Sequence, residues 1–310
     1  MKKILITAGG TATAWHISNV AKEHFKDDIT IHVCDTNEPY LVPASALAFK
    51  VHKVSPVVSD EYTTQIKEII RQEGIDIIVP LIPQEAFLFA KDSDFIKEAG
   101  IISSAPSLKT TDALADKLHM YKTLKSIGIP TPEVYDEKDL DKDRLYLCKP
   151  RLGFGSSGVK VVKGSDTIPE DCVYQEYCKT DDYDEVTVEI YNGDSLNIFS
   201  RRRIATKAGV CVKAEPVDNE IFYPYIKKLV ENVECPAAFN AQFLKHNGEW
   251  KLFDCNLRLG AGTALSTAIG FQLTRAFLAH ISGLKTDEAW FDYDKEARSV
   301  LRVYQEIVIK

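Results

Sequence analysis

Two periodicities alternate along the first part of the chain. Lys3–Thr7 is a short apolar run that ends in Ala8-Gly9-Gly10-Thr11, and a stretch of helical period follows to about Phe25. Ile29–Val33 reads as a second strand, with Asp35 just past its end. The helical run Glu61–Glu73 closes on Gly74 and leads into Ile75–Pro80, a strand rich in β-branched residues. Gln84–Ala99 reads as another helix, capped at its C-terminus by Gly100. Such alternation predicts a parallel sheet covered by helices, with ligands bound at the C-terminal strand ends. Gly9-Gly10-Thr11 has the strand–glycine–helix order of a dinucleotide site, and Asp35 stands where a ribose ligand would. The full GxGxxG spacing is absent, so a tight β–α turn is the plainer reading.

The pattern changes after about residue 110. Thr111–Ile127 predicts a helix capped by Asp112 and stopped at Gly128, before Pro130 and Pro132. Short strands and turns then take over: Leu145–Lys149, Val159–Val162, Val173–Tyr177 and Val186–Tyr191 predict a small antiparallel sheet. The last third adds a helix over Tyr223–Val233, a hairpin about Asn247-Gly248, a helix over Ala264–Ser282 and a strand over Val300–Ile309.

The hairpin carries a parity argument. On its first strand Asn240 and Gln242 share a face, opposite Phe239, Ala241 and Phe243. On its second, Asp254, Asn256 and Arg258 share a face, opposite Phe253, Cys255, Leu257 and Leu259. Placing the two apolar sets together requires partner numbers that sum to an even value, whereas a two-residue Asn247-Gly248 turn gives an odd sum. A three-residue loop or a bulge is therefore expected, with Gly248 at positive φ.

Composition narrows the class without naming it. The 310 residues are 45% hydrophobic and 27% charged, as in a soluble globular protein. The net charge of −7, with no long basic run, argues against nucleic acid or an anionic membrane as partner. Met1-Lys2-Lys3 before a brief apolar run suits a first strand better than a secretion signal. The seven cysteines (34, 148, 172, 178, 211, 235 and 255) are scattered and form no CxxC pair. Reduced thiols in the cytoplasm are the expectation.

Three constellations carry chemistry. Lys149-Pro150 precedes Gly153-Phe-Gly155-Ser156-Ser157-Gly158, a lysine at a strand end before a loop whose backbone N–H groups can meet an anion. It is not a Walker loop, because the lysine comes before the glycines. Gln242, Asp254 and Asn256 gather hard oxygen donors of the kind magnesium takes, beside Arg258, which can meet a phosphate oxygen. Gln175-Glu176-Tyr177-Cys178, with Glu185 on the following strand, forms an acidic pair of strand ends suited to a nucleoside.

In this order the three features resemble the ATP-grasp superfamily, and within it the carbamoyl-phosphate-synthase-like branch. The resemblance implies a mixed α/β and α+β fold: a Rossmann-like pre-ATP-grasp domain over residues 1–110, then a two-lobed ATP-grasp domain over 111–310 with a lid lobe at about 140–180. The family's opening segment matches Asp116-Lys117-Leu118 through Gly128-Ile129-Pro130-Thr131-Pro132. By that match Lys117 and Lys149 contact nucleotide phosphates, and Gly153, Gly155, Ser156, Ser157 and Gly158 close over the γ-phosphate. Glu176, Tyr177 and Cys178 fall at the adenine-reading hinge, and Glu185 at the ribose hydroxyls. Gln242, Asp254 and Asn256 match the ligands of magnesium, with manganese as a substitute, and Arg258 matches the group that steadies the transferring phosphoryl. Asp254 stands where the family usually has glutamate, and Leu257 where it has proline.

The implied activity is that of an ADP-forming ligase: a carboxylate is activated as an acyl phosphate and passed to an amine, so the expected partners are small-molecule carboxylates and amines, and a homodimer is allowed. Arg201 and Arg203 share a strand face, and Lys213 follows the turn at Gly209. They are candidates for a substrate carboxylate or phosphate, against the alternative of a solvated basic strand. Competing readings are a non-catalytic nucleotide-binding protein, a nicotinamide-dependent oxidoreductase and a small-molecule kinase.

Overall fold

The computed structural model describes residues 1–153, 158–179, 185–207 and 209–309. The first unit runs β1 (Lys2–Ile6), α1 (Ala12–His24), β2 (Ile29–Asp35), β3 (Lys50–Lys53), α2 (Asp60–Glu73), β4 (Ile77–Val79), α3 (Pro83–Lys91), α4 (Ser93–Glu98) and β5 (Ile102–Ser103). Its strands form a parallel sheet in the order β3-β2-β1-β4-β5. Both faces are covered, as the near-continuous apolar runs require. Ile4 and Ile6 enter one core and Leu5, between them, enters another.

Asp35 is the last residue of β2 rather than a residue beyond it. Its Oδ2 accepts from Gly10 N at 2.7 Å and its Oδ1 from Asn37 N at 2.9 Å. The carboxylate thus pins the glycine turn, which is the structural role that the incomplete fingerprint suggested.

Two linked helices follow, α5 (Leu108–Ala115) and α6 (Lys117–Ser126). Next comes a small sheet of β6 (Val134–Tyr135), β7 (Leu145–Pro150), β8 (Lys160–Lys163) and β9 (Cys172–Glu176), ordered β6-β9-β7-β8. The remainder is β10 (Glu185–Asn192), β11 (Leu196–Lys207), β12 (Val210–Val217), α7 (Tyr223–Asn232), β13 (Ala238–His246), β14 (Glu249–Asn256), α8 (Thr263–Ile269), α9 (Leu273–Ile281) and β15 (Val300–Leu301). Its sheet is antiparallel, ordered β14-β13-β10-β11-β12-β15. Val186, Val188, Ile190, Phe239, Ala241 and Phe243 bury one face against α5, α6 and α7. The opposite face is left for chemistry.

Several expected elements are divided. Gln84–Ala99 breaks at Asp92, and Thr111–Ile127 breaks at Asp116, which caps α6, while Ser107 rather than Asp112 caps α5. Ala264–Ser282 breaks at Gly270, where φ is 116°, a conformation that L side chains rarely adopt. Val186–Tyr191 does not join the small sheet; as β10 it sits between β13 and β11 at the middle of the large one. Of Val300–Ile309 only Val300–Leu301 pairs, and Val303, Tyr304 and Val308 are exposed, with no strand among the described residues extending the ladder beside them. The short strands β3 and β5 have no counterpart in the sequence reading.

The hairpin meets the parity condition through a bulge. His246 to Phe243 pair with Glu249 to Leu252 around a two-residue turn, with Asn247 at φ 52° and Gly248 at φ 83°. The register then shifts, and Gln242 pairs with Asp254, Ala241 with Cys255 and Asn240 with Asn256. Phe253 is the extra residue. The bulge corrects one assignment: Leu252 takes the core position expected of Phe253, whose ring lies in the cleft.

Candidate active site

The open face of the large sheet floors a cleft of about 1590 Å³, larger than the usual few-hundred to ~1,000 Å³ of a single-ligand pocket. The small sheet and the first unit supply its other walls. Strand register sets the floor out in rows. One row runs Asp254, Gln242, Thr187, Arg201 across β14, β13, β10 and β11. A second runs Asn256, Asn240, Glu189. These residues face the cleft because alternation sends Val186, Val188 and Ile190 the other way.

Two lysines converge on Asp254. Lys117, the first residue of α6, is buried and its Nζ donates to Asp254 Oδ1. Lys149 on β7 is buried too, its Nζ 3.4 Å from the carbonyl oxygen of bulge residue Phe253 and 5.2 Å from that ring's centroid. Burial drives the Lys149 ammonium down to about 8, with Lys117 pushing the same way and Asp254 opposing. Burial would raise the Asp254 carboxyl, but the two ammoniums outweigh it and hold it below the usual carboxylate range. Asn256 Nδ2 donates to Asn240 Oδ1 at 3.2 Å. Arg258 is buried deeply enough to lower its guanidinium; Nη1 donates to Leu259 O at 3.1 Å and Nε has no partner among the described residues.

The donor set suits magnesium. Gln242, Asp254 and Asn256 present one carboxylate and two side-chain amides on one face, and magnesium commonly takes few protein oxygens beside water and phosphate. Asp254 meets a cation, the Lys117 ammonium, so the position is electrostatically a cation site.

At the other end of β7 and β9 lie Glu176, Tyr177 and Cys178. Glu176 is engaged: its Oε2 accepts from Lys251 Nζ at 2.6 Å and from Glu133 N at 3.2 Å. Burial would raise its carboxyl, yet these bonds hold it low. The Cys178 thiol is pushed up to about 12, chiefly by burial, and so stays protonated at neutral pH. Glu185 lines the cleft and pairs with Arg203 at 3.0 Å. Gly153 lines it as well, and Gly158 has φ 74°; Gly155, Ser156 and Ser157 lie outside the described residues.

Arg201 and Arg203 both reach the cleft, whereas Lys213 is exposed and does not line it. The β11–β12 register shifts after Arg203, so that Lys213 pairs with Ala205. The sequence reading missed His16, Glu189, Lys251 and Arg302. The period-two pattern of Glu185, Thr187 and Glu189 carried the signal for Glu189; Arg302, just beyond β15, had none.

Two family profiles match the chain: one described as a PylC-like N-terminal domain over residues 4–103, the other as an ATP-grasp domain over 114–262. Among curated proteins none matches. Solved structures share the fold at low identity. N5-carboxyaminoimidazole ribonucleotide synthetase from Thermotoga maritima is 18% identical with a TM-score of 0.72, over 95% of this chain and 79% of that one. The biotin carboxylase domain of Hydrogenobacter thermophilus 2-oxoglutarate carboxylase, in complex with MgADP and bicarbonate, is 15% identical with a TM-score of 0.73, over 94% and 72%. Pyruvate carboxylase from Rhizobium etli is 15% identical with a TM-score of 0.75, over 96% of this chain but only 30% of that one.

Proposed function

The chain belongs to the ATP-grasp superfamily, and from that premise we propose that it is an ADP-forming ligase that activates a small-molecule carboxylate as an acyl phosphate and couples it to an amine. The observation that carries the proposal is the row at Asp254: a carboxylate bonded to the buried Lys117 ammonium and flanked by the buried Lys149, an amide donor beside it, and an arginine with an open Nε. We take residues 1–110 as the pre-ATP-grasp unit and 111–310 as the ATP-grasp unit, with the small sheet as the lid over the nucleotide.

In the first step a substrate carboxylate oxygen attacks the γ-phosphorus of ATP, the bond to the β-phosphate oxygen breaks, and ADP leaves. In the second the amine attacks the acyl carbon, phosphate departs, and the amine gives up a proton. Both partners in the first step are negative, so the work is to neutralise repulsion and developing charge. Lys149 and Lys117 would meet the phosphates, and Arg258 the transferring phosphoryl. Gly153 to Gly158 would cover it and exclude water. Glu176, Tyr177 and Cys178 border the base, and Glu185 the ribose. Magnesium held by Gln242, Asp254 and Asn256 would shield phosphate charge. The buried cysteines need no role, and no helix among the described residues is long and apolar enough to cross a membrane.

The test is ADP release across paired carboxylates and amines, with the product examined. The ligase reading expects magnesium-dependent ADP release, free phosphate and a new amide only when both substrates are present. Phosphate retained on a stable product would make the protein a kinase instead.

A further inference from the structure

Positive charge exceeds negative charge along the cleft, and the excess sits at both ends. Lys117 is matched by Asp254, Arg201 by Glu189 and Arg203 by Glu185. Among the described residues that line the cleft, Lys149, Lys207, Arg258 and Arg302 have no carboxylate within ion-pair distance, and Lys207 is exposed over the Tyr304 ring. Lys149 and Arg258 lie at the proposed phosphate end. Arg302 does not: it packs beside Arg201, on the turn that follows β14. Its Nη2 donates to Ala261 O, and the neighbouring Gly262 lies so close to Arg201 that an added Cβ would stand 1.8 Å from Nη2.

Arg201 is 3% exposed and held at one nitrogen only, Nη2, by Glu189 Oε1 at 2.7 Å. Glu189 Oε2 is taken by Thr263 Oγ1 at 3.2 Å. The Nε and Nη1 of Arg201 are left without acceptors among the described residues. Unpaired buried guanidinium groups are costly, and an arriving anion would relieve that cost. His16 faces the same place from α1; burial and the Arg302 charge hold its ring at about 4, so it adds no charge at neutral pH and can contribute an N–H.

We propose that Arg201 and Arg302 form a receiving site for a second anionic group, a carboxylate or a phosphate, on the acid that the ligase activates. The inference rests on the ligase reading and deepens it by naming a substrate class, the dianionic acids. Arg201 lies in the row of Asp254 at three strand spacings, roughly 14 Å between backbones at ~4.8 Å per step. One small molecule can therefore keep its reacting carboxylate beside the phosphate-binding groups while its far end meets the two arginines.

Calorimetric titration in saturating magnesium and a non-hydrolysable ATP analogue tests it, with glutarate, 3-phosphoglycerate and butyrate as probes. At least one dianion should bind tenfold or more tightly than butyrate, and the tighter of the two identifies the anion. Arg302→Gln should erase that preference and Arg302→Lys should keep part of it, with nucleotide affinity changed less than twofold in both. A wild-type protein that ranks butyrate with the dianions, or an Arg302→Gln variant that keeps the preference, overturns the proposal. Failure of the nucleotide itself to bind sinks the ligase reading and this one with it.

Discussion

Lys149 offers a prediction in which stability and function move in opposite directions. Its ammonium is buried in the cleft wall, and its folded-state value of about 8 lies below the ordinary 10.5. Between those values the unfolded chain holds a proton that the folded chain has released, so stability rises with pH through that window. Below about 8 both states are protonated, and the cost of burying the charge is fully present. At ~1.4 kcal/mol per unit, that cost is about 3 kcal/mol. Lys149→Met keeps the length and apolar stem of the side chain and removes the charge. The variant should therefore be more stable than the wild type at pH 7 by up to about 3 kcal/mol, and the gap should close as pH approaches 10.5. With roughly 2–4 °C per kcal/mol for chains of a few hundred residues, the full gain corresponds to a rise in Tm of roughly 6–12 °C. The same variant should lose ATP binding, because the missing charge is the one proposed to meet the phosphates. Paired thermal melts at pH 7 and pH 10, with nucleotide titration at pH 7, provide the assay. A variant less stable than wild type at pH 7, or a gap unchanged at pH 10, would refute the electrostatic account of Lys149.

Two further substitutions probe the site. Asp254→Asn leaves Lys117 and Lys149 facing each other without a carboxylate; urea unfolding should show a loss of about 3 kcal/mol at pH 7, in the range for breaking a buried ion pair, and ADP release should vanish. Gly262→Ala puts a methyl into the Arg201 guanidinium, which Glu189 holds in place, so thermal melting should report a loss of about 1–3 kcal/mol; an unchanged Tm would mean that the arginine has room to move.

How legible the site was depended on the range of the interaction involved. Period-two alternation places Asn240, Gln242, Asp254 and Asn256 on one face, and the parity of the apolar residues by itself requires an irregularity in the hairpin. Parity does not say where a bulge falls, however. Phe253 was therefore assigned to the core, although it stands in the cleft beside Lys149. Helix breaks were less readable. The amphipathic pattern continues across Asp92, Asp116 and Gly270, and only tertiary context decides between a helix residue and a cap. Arg302 and His16 were invisible for a related reason: each reaches the cleft through packing between distant segments, which no local spacing encodes.

The break at Asp116 shows what such a cap does for the site. Had the helix run through, Lys117 would sit mid-helix and Asp116 would be free to compete for its charge. Instead Asp116 Oδ1 accepts from Leu118 N and His119 N, while Oδ2 takes Arg151 Nη2 at 2.8 Å and Nε at 3.0 Å. Burial would raise this carboxyl, but the guanidinium and the helix N–H groups hold it low, so it stays charged and committed. The tie runs both ways, because Lys117 N donates to Arg151 O at 2.9 Å. Arg151 comes two residues after Lys149, and Asp116 one residue before Lys117. A single clasp between the start of α6 and the end of β7 therefore sets the Lys117 ammonium on Asp254 and the Lys149 ammonium beside it. The clasp joins the helical layer to the small sheet, so the positions of Lys117 and Lys149 are fixed relative to one another rather than independently.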